Sequence, residues 1–170
     1  MGRVWPVLVT VVGWVHVAAS ALSLCIGAVV LFRTKGTASH RRHGRWYVCA
    51  MLVTNVTALG ISRTGVFFFP HWLAVVTLAV IAVGYWAVST RSIRRWLSVH
   101  IRCMTVSYYM LVGGAVNEAF LRIDVLPPYY PQGMPSPVFG MVHSVVGVGF
   151  VVLLVALLRR QRQWLWEPLG

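Results

Sequence analysis

The sequence predicts an all-α, polytopic integral membrane protein, a bundle of about five transmembrane helices with its N-terminus outside and its C-terminus in the cytoplasm. Three observations carry that prediction. Of 170 residues, 58% are hydrophobic and 11% charged, against about 25% charged in an ordinary soluble domain. The mean hydropathy is +0.75, too apolar for a surface that must face water. The apolar residues also come in long blocks, which suits spans of about 20 residues each. None of the blocks alternates with period two, as the strands of a β-barrel do. A helix satisfies its own backbone polar groups, each of which costs several kcal/mol if left unpaired in hydrocarbon.

Five blocks follow in order. The first runs from Val4 to Phe32, the second from Trp46 to Ile61, the third from Val66 to Val88, the fourth from Met104 to Leu121 and the fifth from Phe139 to Leu158. The second is short, and Arg45 and Ser62 extend it by reaching toward the headgroups. The small basic start and "VAAS" near position 20 have the look of a signal peptide, but the apolar run continues unbroken to Phe32, so an uncleaved first span is expected. The chain shows no internal repeat and no linker, and residues 1–170 read as a single helical-bundle domain.

Basic residues orient the spans. Arg33, Lys35, Arg41, Arg42 and Arg45 lie between the first and second spans. Arg91, Arg94, Arg95 and Arg102 lie between the third and fourth, and Arg159, Arg160 and Arg162 follow the fifth. Twelve of the fifteen basic residues thus share the predicted cytoplasmic side, and Arg3, Arg63 and Arg122 take the other. Trp5 and Trp72 fall at outer ends, and Trp46, Trp86 and Trp96 at inner ends, as interfacial anchors do. The net charge of +12 is split among membrane-flanking segments and is not a nucleic-acid footprint. Its expected partner is the bilayer: Arg33, Lys35, Arg41, Arg42, Arg45, Arg94 and Arg95 meet anionic headgroups, at about 1 kcal/mol per basic residue.

Polar residues inside spans carry the functional signal, because burying them in lipid is costly. Gly13, His16, Ser20, Ser23 and Gly27 share one face of the first span, and His100, Met104, Ser107, Leu111, Gly114, Glu118 and Arg122 share one face of the fourth. Tyr47, Met51 and Asn55 line the second, and Gly140, His143, Ser144 and Gly147 open the fifth. Small and polar stripes ordinarily mark helix–helix contact.

The histidines and the glutamate point further. His16, His71, His143 and Glu118 are expected in the outer half of the bundle, a set able to ligate a transition metal. The histidines alone could hold a b-type haem. His40 and His100 are expected at the cytoplasmic end, where they would supply a second cofactor-binding group. Glu118 is also expected to pair with Arg122 at i+4. Cys25, Cys49 and Cys103 show no CxxC or CxxCH pattern, and a zinc ribbon or c-type haem attachment is excluded on that ground. No Gly-rich phosphate loop, HExxH or GxSxG occurs, so no catalytic residue is assigned.

One further pattern is ordered along the chain. It comprises a histidine on the first span (His16), then K-G-T-x-x-H-R-x-x-G-x-x-Y on Lys35, Gly36, Thr37, His40, Arg41, Gly44 and Tyr47, then H-x-x-x-M-x-x-S-Y on His100, Met104, Ser107 and Tyr108. In these motifs, over about residues 10 to 125, the chain resembles the bacterial predicted-membrane-protein family catalogued as domain of unknown function 2306. The resemblance implies a multi-helix fold in the bacterial inner membrane and brings no activity. Gly44 is expected to let the chain turn closely into the second span.

Three functions compete at this level. A redox-linked haem or metal protein moving electrons rests on the histidines. A non-catalytic accessory or assembly subunit of a larger membrane complex, or a homo-oligomer, rests on the glycine-rich faces and the aromatic stretch "LPPYYPQGMPSPVF". A small transporter or channel is the third, and passage through so small a bundle would need an oligomer.

Overall fold

The computed structural model describes residues 4–61, 69–122 and 137–164, with side chains at 10–61, 70–119, 137, 141–142 and 144–159. All the regular elements among them are helices: α1 Val4–Phe32, α2 Ala38–Gly60, α3 Phe69–Thr90, α4 Trp96–Arg122 and α5 Pro137–Trp164. Pro6 and Pro70 lie in the first turns of α1 and α3 and Pro137 opens α5. There a missing N–H interrupts no intrahelical bond.

The α1–α2 connection explains most of the basic motif. Lys35 Nζ donates to the Val30, Leu31 and Arg33 carbonyls, closing the end of α1 where orphan carbonyls favour a cation. Gly36 takes φ +78, a left-handed conformation that suits glycine. Thr37 then caps α2, its hydroxyl accepting from the His40 N–H at 3.1 Å. Arg41 donates back to the Gly36 carbonyl at 2.7 Å, and Arg33 donates to Ser39 Oγ. This cap starts α2 at Ala38, well before the apolar run. Gly44 therefore lies inside the helix with open space where a side chain would stand, and the turn expected at Gly44 is made at Gly36 instead. The α3–α4 connection turns at Arg91, which has φ 50 and places its guanidinium 5.1 Å from the centre of the Trp96 ring. That cation–π contact of about 0.5–1 kcal/mol offsets part of the strain of a left-handed non-glycine residue.

The chain divides into two compact units, residues 1–111 and 112–170. In the first, α1 runs antiparallel to α2, with His16 level with Thr54 and Gly27 level with Tyr47. α3 likewise runs antiparallel to α4, with Gly84 beside His100 and Thr77 beside Met110. Its core is Tyr47, Met51, Ile81 and Leu111, flanked by Leu24, Ile26, Val48, Met104 and Tyr108. Buried polar side chains are nearly as numerous as buried apolar ones: Ser23, Thr54, Asn55, His71, Thr77, Thr105 and Ser107. Meanwhile Trp14, Val17, Leu22, Val56, Trp72 and Val76 face outward. An apolar exterior around a small and polar interior is the reverse of a soluble core, and it is what a lipid solvent selects.

In the second unit, α5 packs Phe150 against Gly113, where a Cβ would stand 3.0 Å from the ring. Met141, Val145, Val148, Val151 and Val152 are exposed.

Among the described residues two stretches, Thr10–Phe32 and Pro70–Thr90, are long and apolar enough to cross a bilayer, and Ser144–Arg159 is a shorter apolar segment. α2 and α4 do not meet that measure among the described residues; α2 carries His40–Arg45, and α4 carries His100, Arg102 and Glu118.

Two glycines set the helix spacing. A Cβ at Gly27 would collide with the Tyr108 ring and come within 3.0 Å of Tyr47 Cε2, and one at Gly84 would stand 2.7 Å from Cys103 Cβ. Tyr108 cannot swing aside freely, because its hydroxyl donates to the Leu24 carbonyl at 3.2 Å. We predict that Gly27→Ala lowers stability by about 1–3 kcal/mol, as overpacking does. Gly44→Ala should leave it unchanged or raise it by up to about 1 kcal/mol. Thermal unfolding of both variants in detergent checks this, and equal losses would refute the packing.

Candidate functional site

The interior of the first unit is held by side-chain hydrogen bonds that cross between helices. His16 Nδ1 lies 2.9 Å from the Thr54 carbonyl and 3.2 Å from Thr57 Oγ1. A carbonyl oxygen only accepts, so Nδ1 carries the proton and the Nε2 lone pair is left over. Ser20 Oγ donates to the His16 carbonyl, and Ser23 Oγ lies 3.4 Å from Thr54 Oγ1. Of the α1 stripe, then, His16 and Ser20 are half-buried, Ser23 and Gly27 are buried, and Gly13 meets open space.

One level along, Tyr47 OH and Ser107 Oγ are 3.0 Å apart in the buried core, and the Tyr47 and Tyr108 rings are tilted with centroids 6.4 Å apart. The α2 stripe of Tyr47, Met51 and Asn55 is buried throughout, with Asn55 donating to the Met51 carbonyl at 2.7 Å.

His40 and His100 lie at the end formed by the two short connections, near enough for His100 to act on the charge of His40. His100 Nδ1 lies 3.0 Å from the Gly84 carbonyl, so again the proton is on Nδ1 and Nε2 is free. His40 is half-buried, and its Nδ1 is covered with no hydrogen-bond partner. Burial lowers its proton affinity, as do the positive charge of Lys35 and the neighbouring His100, while the Val30 carbonyl works the other way. His43 turns aside, its Nδ1 donating to the Ser39 carbonyl at 2.8 Å within α2.

Two further candidates have described side chains. His71 is buried near the start of α3, at 2% exposed. Glu118 is exposed and belongs to the second unit. The side chains of His143 and Arg122 lie outside the described residues, and with them the expected Glu118–Arg122 pair. So do Arg3, Arg63 and the stretch of residues 123–136. Among the described residues no three His, Cys, Asp or Glu side chains gather as metal ligands. Arg33, Lys35, Arg41, Arg42, Arg45, Arg94 and Arg95 are all exposed, and three of them also hold the α1–α2 connection.

The motif histidine of α1, the K-G-T-x-x-H-R element and the H-x-x-x-M-x-x-S-Y element therefore converge on one four-helix interior. A family model described as "Predicted membrane protein (DUF2306)" matches residues 13–159. The chain belongs to that family. The match runs past the motif-bearing residues 10–125 to take in most of α5. No curated protein and no solved structure matches the chain. In this DUF2306 chain the motif residues divide by task. Lys35, Gly36, Thr37 and Arg41 build the connection, Tyr47, Ser107 and Tyr108 bind helices together, and His16, His40 and His100 keep a ring nitrogen in reserve.

Sequence reasoning missed the partners that hold the histidines. Thr54 and Thr57 were visible as an unusual "TNVT" in an apolar run, but the Thr54 and Gly84 acceptors are backbone carbonyls, which every residue has.

Two outcomes follow. Ser107→Ala should cost about 1–3 kcal/mol by leaving the buried Tyr47 hydroxyl unpaired. The double variant with Tyr47→Phe should recover part of that loss, as unfolding of both variants would reveal. The folded state binds fewer protons than the unfolded one between the lowered His40 pKa and the ordinary 6.5. Stability should therefore be level above 6.5 and fall as pH drops through that window. Thermal melts from pH 8 to 5 check the slope, which His40→Asn should reduce.

Proposed function

We propose that this chain is a multi-pass protein of the inner membrane, crossing it five times with the N-terminus outside and the C-terminus in the cytoplasm. Its histidines hold a haem or transition-metal cofactor and serve electron transfer. The topology is supported by the concentration of basic residues on one side and by the outward-facing apolar side chains of α1, α3 and α5.

The observation that carries the cofactor reading is the state of His16 and His100. Each ring is locked through Nδ1 to a backbone carbonyl of a neighbouring helix, at 2.9 and 3.0 Å, with Nε2 left free. Ligating histidines are held in this way: the outer bond selects the tautomer, aims the ring and raises its basicity. His16 meets α2 at Thr54, and His100 lies beside His40. Fourteen residues of α2 separate these levels, about 21 Å of helix. Two stations at that separation suit a carrier that passes electrons across a bilayer.

The visible spectrum of the purified chain, oxidised and then reduced, tests the reading together with elemental analysis of the same sample. A Soret band with a reduced α-band, or a stoichiometric transition metal, is expected. His16→Ala and His100→Ala should each remove part of it. A featureless spectrum with no metal would overturn the reading. Reporter fusions to the C-terminus should report the cytoplasm.

A further inference from the structure

We propose that His40 and His100 form the binding site of one soft, low-coordinate metal ion of the copper(I) class, at the end of the four-helix unit closed by the α1–α2 and α3–α4 connections. The inference deepens the cofactor reading above and rests on it.

Register brings the two rings together. Tyr47 on α2 and Ser107 on α4 meet at 3.0 Å. His40 and His100 each lie seven residues earlier on their helices, about two turns back along the same faces. The effect of His100 on the proton affinity of His40 agrees with that placement.

Each ring offers a lone pair. His100 spends Nδ1 on the Gly84 carbonyl and keeps Nε2. His40 Nδ1 is buried without any partner. A buried nitrogen left in this state forfeits the hydrogen bond it would make in water, which a coordinated ion would replace.

The surroundings choose the ion. Met104 lies one turn beyond His100 and packs on the Tyr47–Met51 cluster, with its methyl group beside Gly84. Two imidazoles, with a thioether four residues on from His100 along α4, are donor types that favour copper(I). Zinc in structural sites takes four protein donors, and among the described residues no three His, Cys, Asp or Glu side chains gather. The nearby Lys35 ammonium repels a monovalent ion less than a divalent one. The layer beneath the pair is filled by the Tyr47–Ser107 bond and by Tyr108 seated on Gly27, so the two rings hold an ion rather than a porphyrin plane.

The test is anaerobic competition between the full chain in detergent and the coloured copper(I)–bicinchoninate complex. The wild type should withdraw one equivalent of copper(I). His40→Asn and His100→Gln should each weaken that binding at least tenfold, while His43→Asn, whose ring is turned to the Ser39 carbonyl of its own helix, leaves it unchanged. Glutamine at 100 can still donate to the Gly84 carbonyl, and unfolding melts identify any variant that has lost its fold. X-ray absorption of the copper-loaded wild type supplies a second readout that needs no variant: imidazole scattering is expected, and its absence overturns the site. Failure of the wild type to compete, or full competition by folded His40→Asn and His100→Gln, also overturns it. The two proposals fail separately. Haem or metal in the purified chain with copper binding indifferent to both variants would sink the His40–His100 site alone. Copper binding at the pair in a chain that purifies with neither haem nor metal would sink the resident-cofactor reading alone.

Discussion

Hydrocarbon offers no hydrogen bonds, so a polar side chain inside the bundle must find its partner on another helix or on its own backbone. The architecture of the first unit follows from that requirement. His16 takes the Thr54 carbonyl, Tyr47 meets Ser107, Tyr108 takes the Leu24 carbonyl and His100 takes the Gly84 carbonyl. Each bond joins a different pair of helices or a different level of one pair. Such bonds are worth about 1–2 kcal/mol or less apiece in lipid, too little to drive folding alone. Their directionality does what apolar packing cannot: it sets rotation and register. A helix turned by one residue would lose its partner and strand a polar group in lipid.

Those bonds need the helices close together, and the small residues supply the approach. Gly27 admits the Tyr108 and Tyr47 rings between α1 and its neighbours, and Gly84 admits Cys103 and Met104 between α3 and α4. The clearance at Gly84 and the His100 hydrogen bond are one arrangement, since the backbone stripped of a side chain is also the acceptor. The α1–α2 connection adds a covalent constraint. With Lys35, Gly36 and Thr37 ending one helix and starting the next, His40 enters already inside the first turn of α2. Its ring is thereby brought beside Val30 and His100 rather than out among the arginines of the same stretch.

His16 and His100 are thus fixed twice, by the backbone of their own helix and by an acceptor on another. A ring held in this way gives up little freedom when it binds something else, which is the condition for a preorganised ligand. Tyr47, Ser107 and Tyr108 lie between the His16 level and the His100 level, with their polar atoms engaged. They separate the two levels and keep each from collapsing on the other.

By itself the sequence determined the class of solvent and the faces. Apolar blocks called for membrane helices, and the spacing of His16, Ser23 and Gly27, of Tyr47, Met51 and Asn55, and of His100, Met104 and Ser107 marked their inward stripes, because helical periodicity is a local property. It also marked the K-G-T-x-x-H-R element, though its Gly44 suggested a turn. Capping geometry at Gly36 and Thr37 decided otherwise. Only the tertiary structure decided which stripes meet. Helix order leaves no trace in a run of apolar residues, and the acceptors at Thr54, Leu24 and Gly84 are carbonyls that look alike at every position. That His40 and His100 share a level is a consequence of register, set two turns along both helices at Tyr47 and Ser107, and no local pattern encodes it.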